Sequence, residues 1–540
     1  MSQQETLPAQ AEGQPVSPIW PEATHIDAQG AITFHGISAA SLLEQYGSPL
    51  YVVDTDEIAN RAQRFVNAAQ TAFNTTTTQV SYAGKALLTK RIVRIMLDAG
   101  MHIDTCTMGE MRIALAAGAP GRRLVLHGNN KTDDEVRLAI SEGFDKIVVD
   151  SPDEPERIAR IASQLGKRAR VMLRVTSGIH AGGHEYISTA HEDQKFGVPL
   201  LPVDADEHLL DFLDLANNQQ AVESAGDRAY SEQAQEEQTQ LVQAMECIAQ
   251  GSALAVLQTI KQHSEHLELV GIHSHIGSQI HDATAFIHAA QRIMLLRKTF
   301  YATDGITLPE VDLGGGYSVA YTDTQDSMNI EQELGALASA VMNTNRMLGM
   351  PMPVISFEPG RWIVAPAGVN LYTVGTVKAV QLQAEQRAEH PVEETTQVAQ
   401  PAHITRTYVA VDGGMSDNIR PALYDAQYTA RIANRSADAL NTADLPEPKD
   451  TQATPQGAVR ARIVGMHCES GDILVYHTWL PEDIHRGDIV AIPVTGAYGR
   501  TMASNYNQAT IPAVVAVNAS GSSVMLRRQS VDDLLELDQD

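Results

Sequence analysis

Between residues 80 and 358 the chain repeats one local pattern, a short β-branched run followed by a stretch whose apolar residues recur at helical spacing. Such alternation builds a parallel sheet, because two parallel neighbours must be joined by a crossover, usually a helix. Eight runs fit: residues 80–82, 102–105, 124–127, 146–149, 171–174, 270–275, 311–313 and 354–357. Helical spacing follows most of the first seven, as over 87–99, 111–117 and 133–142. Eight βα steps are the count of a (β/α)8 barrel, although an open doubly wound sheet carries the same local signature.

After residue 361 strand-like runs at 371–380, 408–412, 473–477, 488–494, 513–517 and 523–527 come with few helical stretches, which predicts a second, all-β domain. Similar runs before the barrel draw the chain's beginning into that domain. The expected division is a flexible tail over 1–30, a β-domain segment over 31–53, a barrel over 54–361 and a C-terminal β domain over 362–530. Three stretches read as surface insertions: 201–252, whose only Lys or Arg is Arg228, and the Pro-, Thr-, Gln-, Ala- and Glu-rich 384–402 and 437–457. Helical spacing within 206–216 and 240–260 marks the parts of the first that can order.

A chain of 540 residues that is 43% hydrophobic can fill two cores. Its 66 acidic against 39 basic residues, a formal charge of −27, oppose binding to nucleic acid or to anionic membranes. Three cysteines, Cys106, Cys247 and Cys468, make no disulfide framework and have no zinc spacing. The polar N-terminal stretch lacks a basic-then-apolar leader and no apolar run is long enough to span a bilayer, so the expectation is a cytoplasmic protein.

In a barrel of this kind functional side chains gather at the C-terminal strand ends. That filter collects Lys85, residues 104–110 and 127–131, Arg174, His273, His275, Gly314 to Gly316, and residues 358–361. Three consecutive glycines let backbone N–H groups approach an anion, although a tight turn explains them nearly as well. With the glycine corner at Gly360 they match a barrel phosphate site. His273 and His275 share one strand face, a geometry open to Zn²⁺, to stacking on a cofactor ring, or to a hydrogen-bonded core histidine. Lys85 at a barrel mouth is a candidate Schiff-base lysine, and Glu358 a partner for a protonated pyridine nitrogen.

Taken in order, YAGKA (82–86), DTCTMGE (104–110), HGNNK (127–131), EYISTAHEDQKFG (185–197), HSHIGSQI (273–280), DLGGGY (312–317), EPGR (358–361), DGGMSDNIRPALYDA (412–426), CESGD (468–472) and GAYGRTMASNYN (496–507) resemble the motifs of the fold type III PLP-dependent decarboxylases. The similarity is greatest to the branch acting on diaminopimelate and runs from about residue 50 to 507; Thr107 and Met108 depart from its usual pattern. The resemblance implies an alanine racemase-like pair of domains, a (β/α)8 barrel with an all-β domain, and decarboxylation of meso-2,6-diaminopimelate to L-lysine and CO2, the last step of lysine biosynthesis. It implies pyridoxal 5'-phosphate (PLP) on Lys85, with Asp104 and Arg361 in the cofactor site, His275 against the ring and Glu358 at the ring nitrogen. Gly277, Ser278, Gly314, Gly315, Gly316, Gly360 and Tyr498 would meet the phosphate. Arg361, Arg420, Tyr424, Glu469 and Tyr498 would bind substrate. Cys468 of the partner subunit would donate a proton, with Glu469 also crossing a homodimer interface, and no metal is expected.

The chemistry agrees with the motifs: decarboxylation leaves an electron pair that a protonated pyridine ring accepts, and arginines suit a distal carboxylate better than lysines do. Rival readings are an ornithine- or arginine-type decarboxylase, a racemase on the same barrel, and a metal hydrolase using His273 and His275.

Overall fold

The computed structural model describes residues 14–179, 194–205, 207–210, 212–215, 227–383, 403–436 and 455–540. The chain divides into two compact units, Ala59–Val319 with Ser327–Ile363, and Met1–Ile58 with Ala320–Asp326 and Val364–Asp540. The expected insertion at 384–402, nearly all of that at 437–457 and residues 185–193 of the fourth motif lie outside the described residues.

In the first unit eight parallel strands close on themselves: β1 (Thr78–Ala83), β2 (His102–Thr105), β3 (Leu124–Leu126), β4 (Lys146–Val149), β5 (Ala169–Thr176), β6 (Leu267–His273), β7 (Glu310–Asp312) and β8 (Val354–Phe357). Each pairs with the next in chain order, and β8 returns to β1 with Ile355 opposite Thr78. That last pairing decides for the barrel over the open sheet. Three strands match the sequence reading to the residue and the others differ by a few residues at their ends.

Helices Lys90–Asp98, Met108–Ala116, Asp133–Glu142, Glu154–Gln164, Ser252–Gln262, Ala283–Asp304 and Ile330–Met347 follow the first seven strands. Local chemistry starts several of them: Thr89, Thr107 and Thr132 each accept a hydrogen bond from a first-turn N–H, which would otherwise lack a partner. Thr132 and Glu135 complete a capping box. The acidic insertion contributes the helix Asp227–Ile248 ahead of Ser252–Gln262.

Behind β8, fully buried Phe65 meets Tyr317, Trp362 and Phe357 with ring centroids 5.1, 5.7 and 6.1 Å away. Edge-on pairs of this kind add about 0.5–1.5 kcal/mol each beyond area burial. The barrel floor is polar. Lys146, the first residue of β4, donates to Glu310, the first of β7, and Ser356 of β8 donates to the same carboxylate. Because β4 and β7 are not neighbours, this buried pair spans the interior. Beside it Asp145 accepts from Gln79 at 3.1 Å and faces His102 at 3.4 Å and Arg170 at 3.6 Å.

The second unit is mostly sheet. Its strands run in the order Ile473–Pro481, Ala458–Val464, His403–Val411, Gly368–Gln383, Leu50–Asp54, Ala513–Asn518 and Gly521–Leu526, with Ile489–Pro493 also on Gly368–Gln383. Leu50–Asp54 lies between Gly368–Gln383 and Ala513–Asn518, strands from the C-terminal part of the chain. The strand Ala458–Val464 was not anticipated, since two arginines break its apolar pattern. Arg460 is nonetheless buried, its guanidinium 5.7 Å from the Trp479 ring.

Part of the expected tail is ordered too. Gln14–Pro15 and Thr24–Ile26 join Ile32–Phe34 and Ile37–Ser38 in a small antiparallel sheet, and Trp20 is buried. A short alternating segment reads as a tail because the surface it packs on is distant in sequence; Ile32 N–H donates to Ala433 O. Among the described residues no helix is long and apolar enough to cross a membrane.

Candidate active site

The C-terminal strand ends of the barrel bring four titratable groups together. Asp104 lies on β2, His127 follows β3, His273 ends β6 and Glu358 follows β8. His127 Nε2 is 3.0 Å from one oxygen of Glu358, and His273 Nε2 is 3.1 Å from the other. His127 is also 3.7 Å from Asp104, and the two imidazoles meet edge to face at 5.4 Å.

These neighbours set the protonation states. Burial opposes charge on Glu358, but the two imidazoles overcome it and hold the carboxyl well below its usual range. Burial also opposes charge on His127, and Glu358 with Asp104 outweighs it, raising the imidazole to about 10. Asp104 is pushed up to about 6 by burial and by Glu358. His273 is lowered by burial. Both Asp104 oxygens, His127 Nε2 and His273 Nδ1 are buried without a hydrogen-bond partner among the described residues, so His127 meets Glu358 as an ion pair at 3.0 Å.

The expected histidine pair therefore divides its work. His273 turns to Glu358, whereas His275 accepts a hydrogen bond from Gly315 N–H at 3.3 Å. Burial and the nearby charge of Lys85 favour its neutral form. His275 is absent from the one group of metal-capable side chains among the described residues, which is His127, His273 and Glu358. The pair thus does not form the Zn²⁺ site that its spacing left open.

Lys85 sits in the turn Gly84–Ala86 after β1 and is exposed at the mouth. Across from it, Gly277, Ser278, Gly314, Gly315 and Gly316 bring two loops into contact. Ile280 N–H donates to Gly316 O at 3.0 Å, and Gln279 both donates to Val319 O and accepts from Val319 N–H. Two glycines are required outright. Gly314 has φ +69°, and a Cβ on Gly315 would lie 2.1 Å from Glu358 O. Arg361, buried beside Gly360, donates to Ser278 Oγ at 2.9 and 3.2 Å. A glycine-lined cradle with an arginine and a hydroxyl, a facing lysine and a deep ionised carboxylate fit a phosphorylated pyridine aldehyde. Thr107, one departure from the family pattern, serves as a helix cap.

The other expected residues belong to the second unit. Arg420 opens the short helix Arg420–Tyr424, is buried, and lies 4.4 Å over the Tyr321 ring with a hydrogen bond to Tyr428. Among the described residues no carboxylate pairs with it. Tyr424 is half-buried, and Tyr498 is half-buried with φ +59°. Cys468 and Glu469 are exposed.

Two aspartates that the sequence reading passed over build this region, although both stand inside quoted motifs. Asp472 accepts from Met415 N–H at 2.6 Å and His467 N–H at 2.8 Å, stitching the loop before Arg420 to the loop bearing Cys468. Asp417 accepts from buried Tyr372 and from Gly414 N–H, and burial pushes it up to about 7. His127 was likewise caught by the strand-end filter without a role.

Comparison with known proteins adds the identity of the family. The pyridoxal binding domain model of the pyridoxal-dependent decarboxylases matches residues 56–226 and 233–365. Diaminopimelate decarboxylase of Mycobacterium tuberculosis is 38% identical over 524 residues, covering 96% of this chain and 97% of the relative. That of Bacillus subtilis is 34% identical, covering 94% and 95%. The crystal structure of diaminopimelate decarboxylase from M. jannaschii with L-lysine aligns at TM-score 0.71 and 26% identity, covering 96% of this chain and 98% of that one. With its closed barrel, second sheet unit and glycine-lined mouth, the chain belongs to the pyridoxal-dependent decarboxylases, in the diaminopimelate decarboxylase family, and is a carboxy-lyase that uses PLP.

Proposed function

We propose that the enzyme decarboxylates meso-2,6-diaminopimelate to L-lysine and CO2. The observation that carries this choice is Arg420, a buried cation for which the described residues supply rings and phenols but no carboxylate. A buried charge needs a partner, and a substrate with a second carboxylate at its far end provides one. Ornithine and arginine have none. The relatives' name and the lysine-bound neighbour agree with this reading.

Bound PLP supplies an electron-accepting ring for the bond that loses CO2. Lys85 would hold it through its amine, Glu358 would meet the ring nitrogen, and His275 would lie against the ring face. Asp104 adds a carboxyl beside that pocket. Gly277, Ser278, Gly314 to Gly316, Gly360, Arg361 and Tyr498 receive the phosphate. Arg361, Arg420, Tyr424, Glu469 and Tyr498 orient substrate. Cys468 delivers the proton that replaces CO2, and in a homodimer it does so as Cys468 of the partner subunit, together with Glu469. The exposure of both residues on an anchored loop supports that role. The free state of Cys106, Cys247 and Cys468 accords with a cytoplasmic, reducing setting.

The test is CO2 release from a panel of meso-diaminopimelate, lysine, ornithine and arginine by the PLP-loaded enzyme. Release from diaminopimelate alone is expected; equal release from ornithine would reassign the substrate. Mixing Lys85→Ala with Cys468→Ala protein should regenerate activity through hybrid dimers, and no recovery would refute a shared site.

A further inference from the structure

The carboxylate of Glu358 is gripped from both sides, and only one of its two imidazoles comes from the histidine pair that stands out in the sequence. We propose that His127 is a positioning residue for Glu358. It braces one carboxylate oxygen while His273 braces the other, so that the carboxylate is too weak a base to take the proton from a ring nitrogen set against it. The inference rests on the reading of Glu358 as the partner of that nitrogen.

Three strands converge to build the brace. His127 follows β3, Glu358 follows β8 and His273 ends β6, with contacts of 3.0 and 3.1 Å to the two carboxylate oxygens. Charged and titratable groups around it come from the remaining strands and from β6: Lys85 after β1, Asp104 on β2, Arg174 on β5, His275 after β6 and Asp312 on β7, with Lys146 of β4 acting on Asp104 and Asp312 from the floor. Asp104, 3.7 Å from His127 and without a hydrogen bond among the described residues, is the second acid beside the same imidazole. Placed between buried Asp104 and the mostly enclosed Glu358, His127 holds a proton throughout the neutral range, while Glu358 stays ionised. A charged imidazole 3.0 Å from one carboxylate oxygen and a hydrogen bond to the other both lower its basicity. Without them, a buried glutamate beside a pyridinium would share or take its proton, and the ring would lose its pull on the electrons left by CO2.

The experiment uses full-length holoenzyme loaded with PLP labelled with ¹⁵N in the ring, in wild type, His127→Leu, His127→Gln and Glu358→Gln. Its readout is the ring-nitrogen chemical shift as a function of pH. The wild-type signal is expected at the protonated position throughout the neutral range. His127→Leu should move it downfield toward unprotonated pyridine, and His127→Gln, which restores an N–H donor without charge, should lie between. A His127→Leu protein that melts like wild type and keeps the wild-type signal would overturn the proposal. If that variant does not fold, a wild-type signal in His127→Gln overturns it instead. Should Glu358→Gln leave the signal unmoved, the reading of Glu358 fails and the proposal falls with it. A shift in Glu358→Gln with none in the His127 variants defeats the proposal alone.

Discussion

The barrel carries buried charge at both ends, and the two ends are built oppositely. At the floor Lys146 is paired with Glu310, and Asp145 accepts a hydrogen bond from Gln79 with the Lys146 ammonium 3.5 Å away. At the mouth both oxygens of Asp104 and one ring nitrogen of His273 are buried with no hydrogen bond among the described residues, and a lysine stands exposed. An unsatisfied buried polar group costs about 1–3 kcal/mol, so a fold retains it where it serves something other than stability. The pairing at the floor suits holding the barrel together, and the mouth is where the proposed chemistry falls, as expected for the two faces of this architecture.

Substitutions at either end test that division. The largest effect is expected from Lys85→Ala, which should lower CO2 release by about 1,000-fold or more and abolish the borohydride-sensitive visible absorbance, with the melting temperature of the cofactor-free protein unchanged. At the floor, Lys146→Met should strand Glu310 and cost about 3–5 kcal/mol of unfolding free energy, read by denaturant titration. Adding Glu310→Leu should recover most of that loss, and the folded double variant should keep wild-type KM. If Lys146→Met instead leaves stability intact and abolishes cofactor binding, the floor is part of the site.

Glu358→Gln should reduce kcat by about 100-fold, as removal of one transition-state electrostatic contact does. Arg420→Ala should raise KM for diaminopimelate by about tenfold or more and affect kcat less; an unchanged KM would remove Arg420 from the substrate site. The last test is a pH slope. The His127 imidazole is raised from 6.5 to about 10 in the folded chain, so its stabilising contribution is complete below pH 6.5 and is lost as pH rises through 10. Cofactor-free wild type should lose stability over that window, and His127→Gln should flatten the loss.

Much of this was legible in the chain. Strands 102–105, 146–149 and 354–357 could be placed to the residue because each is a short apolar run bounded by turn or helix signals. The strand-end filter gathered Lys85, Asp104, His127, His273, His275 and Glu358 before any of them had a neighbour. The strand Ala458–Val464 escaped because its arginines hide an apolar face, and Trp479, which covers Arg460, lies on another strand. Asp417 and Asp472 went without a role because an aspartate in a loop motif does not announce which backbone N–H groups it will hold.

The alternation of strands and helices, the glycines at Gly314 to Gly316 and the residue types at the strand ends follow from sequence alone, since periodicity and backbone freedom are local properties. Closure of the sheet through β8 and β1, the pairing of Lys146 with Glu310 across the interior and the turning of His273 toward Glu358 while His275 meets Gly315 were decided by tertiary structure. These are contacts between residues far apart in the chain. Their partners are chosen by how the strands twist and close, which no local window contains.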